Sequence, residues 1–454
     1  MSRIPKDKDG NVIIPPPIKP LPEVRIINGQ PVAMITQTRS YELITPMFGG
    51  GAQPALADAD MVVRPSGIRG QLRFWWRACK GGDFDGDLKA MKDAEDLLFG
   101  AASTEKKPRP SQVEIVVNIT SAGEPIQPFI LEHRKEGAPR VKSRDDVIPS
   151  YAAFPLQPQQ EDVRRYRMNT TINSVRAKVK FDLIITFPEY QKEAVEAALW
   201  AWETFGGIGG RTRRGFGALM LTAIDGKPVP LPKAQETELF IKKGLATHVS
   251  NGKWPSNVPH LSREPKMALT GMKSNPTESW KDLIFSLKNF RQQRHGGTER
   301  GRPGRSKWPE PDEIRRQTGC RSPQHREDLS NVSKFPRGAL GLPIVFHFKD
   351  ERDGDPPTST LQGSTKNYER FASPLILKPI ACEGGQGVGV ALVLEGSQVS
   401  KIPGGLLLKV SDGREFPVDA NLTKEEAEQI PPLRGNPNVL EAFLDFIQNT
   451  GNRR

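Results

Sequence analysis

The order of its predicted helices and strands is the feature that most constrains the fold of this 454-residue chain. Alternating apolar and β-branched residues predict strands, and apolar residues at a spacing of three or four predict helices. From residue 34 to residue 224 the order is strand, helix, strand, strand, helix, strand. This order is typical of a ferredoxin-like unit, an antiparallel sheet with helices on one face. The predicted segments are 34–45, 68–79, 113–120, 177–187, 188–205 and 218–224.

The second half of the chain has a similar but less regular set of segments. A helix is predicted over 278–291, strands over 340–348, 375–380 and 388–394, and a last helix over 439–448 with Asn438 as its N-cap. We therefore expect an α+β protein of two ferredoxin-like units with antiparallel sheets, long loop insertions such as 121–172, and a helical C-terminal part. The predicted domains are an extended proline-rich arm over 1–31, a first domain over 32–225, a linker over 226–263, and a degenerate second domain over 264–454.

The first predicted helix combines an apolar stripe with a row of arginines. The stripe comprises Ile68, Leu72, Trp75, Trp76 and Cys79. The row, about a third of a turn away, comprises Arg69, Arg73 and Arg77. No acidic residue lies between Arg64 and Lys80, and a guanidinium fork suits a phosphodiester. We predict that the row binds an RNA backbone while the tryptophans pack the helix on its sheet. The alternative is an ordinary solvated arginine face.

The charge of the chain favours an anionic partner. The net charge is +12, and ten Lys or Arg residues lie with four acids between residues 291 and 326. Such clustering is typical of nucleic-acid binding. Within this basic window the predicted RNA-binding residues are Arg305, Lys307, Trp308, Arg315 and Arg316.

A glycine–arginine loop, residues 206–217, separates the second predicted helix from the last strand of the first unit. It reads GGIGGRTRRGFG, with six glycines and three arginines. Glycines let backbone N–H groups approach a phosphate closely. The loop follows a helix and lacks the Lys-Ser/Thr of a mononucleotide phosphate loop, so nucleotide binding is not expected. The predicted RNA-binding residues are Gly207, Gly209, Gly210, Arg211, Arg213, Arg214, Gly215 and Gly217, with Gly49 and Gly50 of the earlier glycine loop.

These motifs resemble the RAMP superfamily of CRISPR proteins, in which a glycine-rich loop lies between the last helix and last strand of a ferredoxin-like unit. The opening motif IRGQLRFWWRA (68–78), preceded by TPMFGGG (45–51), is similar to the first-numbered RAMP subunits of type III-B Cmr effector complexes. The segments GRSKWPEPDEIRR (304–316), ALGLPIVFHF (339–348) and RFASPLILKPI (370–380) are similar to them too.

The resemblance implies a non-catalytic RNA-binding subunit at the head of the complex, near the 3′ end of the crRNA, that helps capture target RNA for antiviral defence. It also implies crRNA, target RNA, a neighbouring head RAMP subunit and the backbone RAMP filament as partners. We expect no catalytic residues, cofactor or metal, no membrane association, and a prokaryotic cytoplasmic location. Three widely spaced cysteines indicate neither disulfides nor a zinc site.

The alternative function is a metal-independent RAMP endoribonuclease acting on CRISPR or target RNA. Its candidate acids and bases are His295 and His325, which lie in the basic window. Asp58 and Asp60, after the first glycine loop, are weaker candidates for metal-dependent cleavage. A third possibility is a protein-binding adaptor without RNA affinity of its own.

Overall fold

The computed structural model describes residues 8, 24–27, 29–51, 56, 61–104, 107–296, 304–325, 328–348 and 351–451. The predicted proline-rich segment 15–22 lies outside these residues. The chain divides into two compact units. The first unit contains residues 1–255, 273–280 and 378–388, and the second contains 256–272, 281–377 and 389–454.

The described residues form nineteen strands and ten α-helices. The strands are β1 Val24–Ile27, β2 Gln30–Leu43, β3 Ala101–Thr104, β4 Lys107–Arg109, β5 Glu114–Ser121, β6 Glu124–Ile126, β7 Phe129–Glu132, β8 Arg140–Ser143, β9 Val175–Ala177, β10 Lys180–Pro188, β11 Leu219–Ile224, β12 Lys227–Pro228, β13 Lys266–Leu269, β14 Ile344–Phe346, β15 Ser359–Gly363, β16 Leu375–Ala381, β17 Gly387–Val393, β18 Leu406–Val410 and β19 Glu415–Val418. The helices are α1 Pro65–Lys80, α2 Leu88–Phe99, α3 Ser150–Ala153, α4 Gln160–Tyr166, α5 Lys192–Phe205, α6 Thr237–His248, α7 Pro276–Arg291, α8 Glu310–Thr318, α9 Lys424–Glu428 and α10 Val439–Gly451.

The main sheet of the first unit has the ferredoxin-like strand order. Its strands lie in the order β12-β11-β2-β10-β5, and β1 pairs with the N-terminal end of β2. Across the sheet, β11, β2, β10 and β5 are therefore the fourth, first, third and second of these four strands in chain order, and each neighbouring pair is antiparallel. The predicted α+β fold class is confirmed.

Helices α1 and α5 contribute several large buried side chains to the first unit. The predicted apolar stripe of α1 is buried, with Trp75 3% and Trp76 4% exposed. The Trp75 ring centroid lies 6.1 Å from that of Phe205 on α5, and the Cys79 thiol donates to the Ala197 carbonyl at 3.6 Å. Each such buried side chain contributes about 1.5–3 kcal/mol. The predicted packing role of the tryptophan pair is confirmed.

The insertion over 121–172 is more ordered than its composition indicates. It contains the hairpin β7–β8, the short strand β6 paired with β9, and the helices α3 and α4. The prediction that this segment is loop-like is wrong. Its strands are three or four residues long, too short for a clear alternating pattern, and they are stabilised by their pairing partners.

The segment predicted to be a linker, 226–263, contains the helix α6. Its side chains Ile241 and Leu245 are both 0% exposed, so they belong to a packed core. The predicted domain boundaries themselves stay a prediction. No helix among the described residues has the length and hydropathy to cross a membrane.

Downstream of residue 255 there are two smaller sheets, β13-β17-β16 and β14-β15-β18-β19. The first of them repeats three of the four ferredoxin-like positions, because β17 lies between β13 and β16. The second has its own apolar cluster, which includes Phe335, Leu361 and Leu408. Asn438 caps α10 as predicted, with its side chain accepting from Leu440 N at 3.1 Å.

Candidate nucleic-acid interface

The local sequence of α1 explains how its start is built. Pro65 occupies the first turn, where its missing N–H costs nothing, and Arg64 precedes it in an extended conformation. The first turn contains no acidic residue, so no carboxylate within that turn neutralises the positive end of the helix dipole. The first residues of α1, Ser66 and Gly67, are exposed.

Arg73 and Arg77 of the arginine row have acidic partners. Arg73 donates to Glu95 Oε1 at 2.6 Å, to Asp96 Oδ1 at 2.9 Å and to the Gly100 carbonyl at 2.5 Å. Arg77 donates to the same Glu95 oxygen at 2.7 Å. The sequence alone predicts that the row has no acidic partner, since no acid lies between Arg64 and Lys80. That expectation is wrong for these two arginines, because α2 places carboxylates that are distant in sequence beside them.

The carboxylates that hold the row are themselves buried. The Glu95 side chain is 2% exposed and that of Asp96 is 9% exposed. Burial alone would raise the pKa of Asp96, but hydrogen bonds from Lys92 and Arg73 lower it below its usual value. Arg73 and Arg77 therefore join α1 to α2.

Arg69 differs from the other two arginines of the row. Its side chain is partly exposed, and its Nε is buried with no hydrogen-bond partner among the described residues. The charge of Arg69 acts on the carboxylate of Glu114. The hydrogen bond from Arg25 lowers the pKa of Glu114, and the charges of Arg25 and Arg69 lower it further. Partial burial of Glu114 acts in the opposite direction and raises its pKa. Because Arg25 binds both Glu114 oxygens, Arg69 remains the arginine of the row with the most freedom to bind an anion.

The glycine–arginine loop packs against the earlier glycine loop. Gly210 N donates to the Phe48 carbonyl at 2.7 Å, and Gly217 N donates to the Pro46 carbonyl at 2.8 Å. The Thr45 hydroxyl donates to the Gly215 carbonyl at 2.6 Å and accepts from Ala218 N at 2.9 Å. The motif TPMFGGG and the glycine–arginine loop are thus one structural element.

Two glycines of the loop are required by close packing inside the protein. Gly209 has φ 80°, and a Cβ there would lie 2.6 Å from the Phe48 carbonyl oxygen. A Cβ on Gly207 would lie 2.7 Å from the Gly217 carbonyl oxygen. These approaches are between backbones of the protein, so they explain the glycines without any ligand. Phosphate binding by the loop stays a prediction.

Two of the three arginines of the loop lie beside aromatic rings, and the backbone of the third accepts a hydrogen bond from an indole. The Arg211 guanidinium is 6.0 Å from the Phe48 ring centroid and 5.0 Å from that of Phe154. The Arg213 guanidinium is 5.4 Å from the Phe74 ring, and burial lowers its pKa. The Arg214 carbonyl accepts from the Trp280 indole at 2.7 Å. All three are only partly buried.

A cleft of about 340 Å³ lies where both loops meet the start of α1. Gly49 and Gly50 of the first glycine loop both have positive φ, 59° and 102°, a backbone conformation that glycine adopts without steric cost. The first loop contributes Gly50, and the second contributes Gly207 and Gly209. The remaining wall comes from Val62, Arg64, Ser66, Gly67, Ile68, Ile208 and Gln71. None of the described residues that line the cleft is acidic. A helix N-terminus, glycine backbone and an arginine are the groups that bind a phosphate.

Lys378 lies beneath the glycine–arginine loop and was missed by sequence reasoning. It is 1% exposed, and its Nζ donates to the Gly206 carbonyl at 2.7 Å and the Glu203 carbonyl at 3.1 Å. Burial lowers the pKa of Lys378 to about 7, against the charge of Glu203. The lysine binds the last carbonyls of α5 and so fixes the point where the loop begins. A single lysine within the apolar run PLILKPIAC is the sequence signal for it.

The basic window is a packed region over residues 304–325; residues 297–303 lie outside the described part. Trp308 is 1% exposed, its indole donates to the Phe290 carbonyl at 3.0 Å, and it cannot stack on a base. Arg315 is 7% exposed and binds Asp355 at 3.0 Å. Both side chains therefore belong to the core, and an RNA-binding role for Trp308 and Arg315 stays a prediction.

The remaining basic-window residues lie nearer the surface. Arg305 pairs with Asp312, and Arg316 pairs with Glu313 at 2.8 Å. Lys307 is partly exposed, and its backbone N donates to the Gln293 carbonyl at 2.9 Å. An RNA role for these three residues stays a prediction.

The nuclease candidates do not converge on one site in the described residues. His295 is exposed, whereas His325 Nε2 lies 3.6 Å from Asp355, the carboxylate that also binds Arg315. Asp58 and Asp60 lie outside the described residues. Within the described part of the chain, no group of three or more His, Cys, Asp or Glu residues could hold a metal ion.

The fold and the glycine-rich loop together define a RAMP-type protein. Residues 40–219 match the RAMP superfamily model. They run from the end of β2 to the start of β11 and include both glycine loops. The chain is 30% identical over 194 residues to the CRISPR system Cmr subunit Cmr1-2 of Pyrococcus furiosus, which covers 40% of this chain and 93% of that relative. The chain therefore belongs to the RAMP superfamily, among its Cmr1-like members. The predicted family resemblance is confirmed.

Solved structures of similar proteins include two from CRISPR systems. One is apo Cmr1 from Pyrococcus furiosus, at 19% identity and a TM-score of 0.44, covering 80% of this chain and 89% of that chain. The other is a chain of a type III-B Cmr-beta complex bound to cognate target RNA and AMPPnP, at 13% identity and a TM-score of 0.48. The match covers 92% of this chain and 99% of that chain.

Proposed function

We propose that this chain is a non-catalytic RNA-binding subunit of a type III-B Cmr ribonucleoprotein effector. Its place would be at the head of the complex, near the 3′ end of the crRNA, where it helps capture target RNA. Its proposed partners are crRNA, target RNA, the neighbouring head RAMP subunit and the backbone RAMP filament. The relationship to a Cmr subunit supports this role.

The observation that carries the proposal is the cleft between the glycine loops and the start of α1. It combines an acid-free helix N-terminus with the glycine backbone of both loops and with Arg64. An RNA phosphate in the cleft would interact favourably with the positive end of the α1 dipole and with the positive charge of Arg64. Arg69 lies further along the same helix; its side chain is partly exposed, and its Nε has no hydrogen-bond partner in the described part of the chain.

Contacts of this kind recognise the RNA backbone and not its sequence. Sequence specificity would come from pairing between guide and target, while the protein recognises backbone and shape. Such binding is strongly salt-dependent, because each neutralised phosphate releases counterions.

The variant Ser66→Glu tests the cleft. Ser66 is exposed in the first turn of α1, where a carboxylate is favoured by the helix dipole but would repel a phosphate. We expect unchanged or slightly higher thermal stability together with weaker RNA binding, measured by fluorescence anisotropy at several salt concentrations. Ser400→Glu is the matched control, since it makes the same charge change at another exposed serine. Equal RNA affinity for both variants would contradict the proposal.

A further inference from the structure

The insertion over 121–172 carries an exposed surface that the cleft does not explain. This arginine–tyrosine surface is defined by Arg164, Arg165, Tyr166, Arg167 and Phe154. Every one of these residues is exposed, with Tyr166 at 47% and Phe154 at 59%. Large aromatic side chains beside several arginines are uncommon on a surface unless they bind something.

The arginines of this surface are available to an anion. None of the three forms an ion pair with a carboxylate in the described part of the chain. The two acids of α4, Glu161 and Asp162, lie in its first turn, where the helix dipole favours them. The positive groups are therefore concentrated at the opposite end of the helix.

The aromatic rings of this surface are arranged beside guanidinium groups. The Arg165 guanidinium lies 5.2 Å from the Tyr166 ring centroid. The Arg211 guanidinium, from the glycine–arginine loop, lies 5.0 Å from the Phe154 ring centroid, although that ring is still largely exposed. The contact between Arg211 and Phe154 places this ring beside the glycine–arginine loop.

The backbone at Arg167 is one that glycine would adopt more easily. Arg167 has φ 50° and ψ −126°, and its N–H donates to the Val163 carbonyl at the end of α4. Non-glycine residues rarely occupy this region, and helices commonly place glycine at such a position. The Thr170 hydroxyl stabilises this conformation, because it donates to the carbonyls of Asp162 at 3.1 Å and Arg167 at 2.9 Å. An arginine at a position that favours glycine indicates that its side chain is used.

We propose that the arginine–tyrosine surface binds a single-stranded segment of RNA. Phe154 and Tyr166 stack on unpaired bases, and the arginines at 164, 165 and 167 bind backbone phosphates. Exposed rings require unpaired bases, which a duplex does not offer, so the surface selects single strands. This inference rests on the proposed RNA-binding function and adds a second contact region to the cleft.

The experiment compares RNA affinity of full-length variants for a labelled single-stranded oligouridine and for a duplex of equal length. Phe154→Ala and Tyr166→Ala are each expected to weaken single-strand binding roughly five- to hundred-fold, with the salt dependence and the duplex affinity unchanged. The triple variant Arg164→Gln, Arg165→Gln, Arg167→Gln should reduce the slope of log affinity against log salt by about 2.

A matched control and a stability test isolate the surface. The control triple variant changes Arg134, Lys135 and Arg140 to Gln; these are exposed basic residues around the turn of the β7–β8 hairpin of the same insertion. An equal loss of affinity in both triple variants would overturn the inference, because total charge would then explain binding. Arg167→Gly should melt at a higher temperature yet bind single strands more weakly, and unchanged binding by this variant would also contradict it.

The result also separates this inference from the proposed function. If the wild-type chain binds no RNA, the proposed function fails. If Ser66→Glu weakens binding while the aromatic variants match the wild type, the cleft is retained and only the second surface is wrong. Loss of association with another Cmr subunit in the aromatic variants, without loss of RNA affinity, would overturn the inference in favour of protein docking.

Discussion

Arg73 gives the sharpest test of whether the arginine row of α1 is structural or binds RNA. The variant Arg73→Met removes the charge and keeps a long apolar stem. It leaves Glu95, 2% exposed, with Arg77 as its remaining arginine partner at 2.7 Å. Removing one member of a buried ion pair costs about 3–5 kcal/mol, and the remaining partner favours the lower end of that range. About 3 kcal/mol corresponds to a fall of roughly 6–12 °C in the melting temperature of a unit of this size.

The assay combines thermal melting with RNA binding. Circular dichroism of Arg73→Met should show the lower melting temperature, while binding below the transition keeps the wild-type salt slope. Arg69→Met is the matched control: its Nε has no hydrogen-bond partner within the described residues, so stability should change little. If Arg69 binds a phosphate, its removal should reduce the salt slope by about 0.7.

A double variant checks the assignment of the ion pair. Arg73→Met with Glu95→Leu removes both partners and should recover part of the stability lost in the single variant. The reasoning is refuted if Arg73→Met melts like the wild type and reduces the salt slope, because the arginine would then serve RNA and not Glu95.

Four further predictions concern Lys378, the glycine–arginine loop, the basic window and catalysis. The folded-state pKa of Lys378, about 7, lies below its ordinary value, so above pH 7 the unfolded chain binds more protons than the folded chain. The free energy of unfolding should therefore rise from pH 7 to 9 by up to about 1.4 kcal/mol per pH unit. Denaturant titrations of Lys378→Met should lack this rise, and equal pH slopes for the variant and the wild type would contradict the prediction. Gly209→Val should displace the loop from the Phe48 carbonyl and reduce RNA crosslinking, and unaltered crosslinking would mean that the loop does not contact RNA. Trp308→Phe should lower the melting temperature without changing RNA affinity, whereas weaker binding at equal stability would restore its RNA role. The purified chain should not cut guide or target RNA, and cleavage that disappears in His295→Ala would support the endoribonuclease alternative.

Sequence reasoning predicted the first unit well because its elements are regular. The strand β2 is fourteen residues long with alternating burial near its end, and α1 carries its apolar residues on one face. Patterns of that length depend mainly on which face of an element is buried, so they can be recognised without knowing the neighbours. The short strands of the insertion are stabilised by pairing with each other, and this is why the same reasoning failed there.

The candidate site was predicted only in part, for a related reason. The glycine loops and the helix start are adjacent motifs, and the structure brings them to one cleft. The basic window was judged by its charge, yet Arg315 is buried against Asp355, forty residues away in the chain. Charge counted along a sequence does not show which arginines already have a partner.

The sequence by itself determined the family of this protein, the ferredoxin-like order of its first unit and the packing edge of α1. Only the tertiary structure decided which arginines are held inside the protein and which face solvent. Glu95 lies 22 residues from Arg73 in the sequence, and it reaches Arg73 because α2 packs beside α1. Apolar periodicity is a property of one segment, whereas the partner of a charge depends on which segments meet. For this reason the arginine row now divides into Arg73 and Arg77, which join two helices, and Arg69, which remains the candidate for RNA.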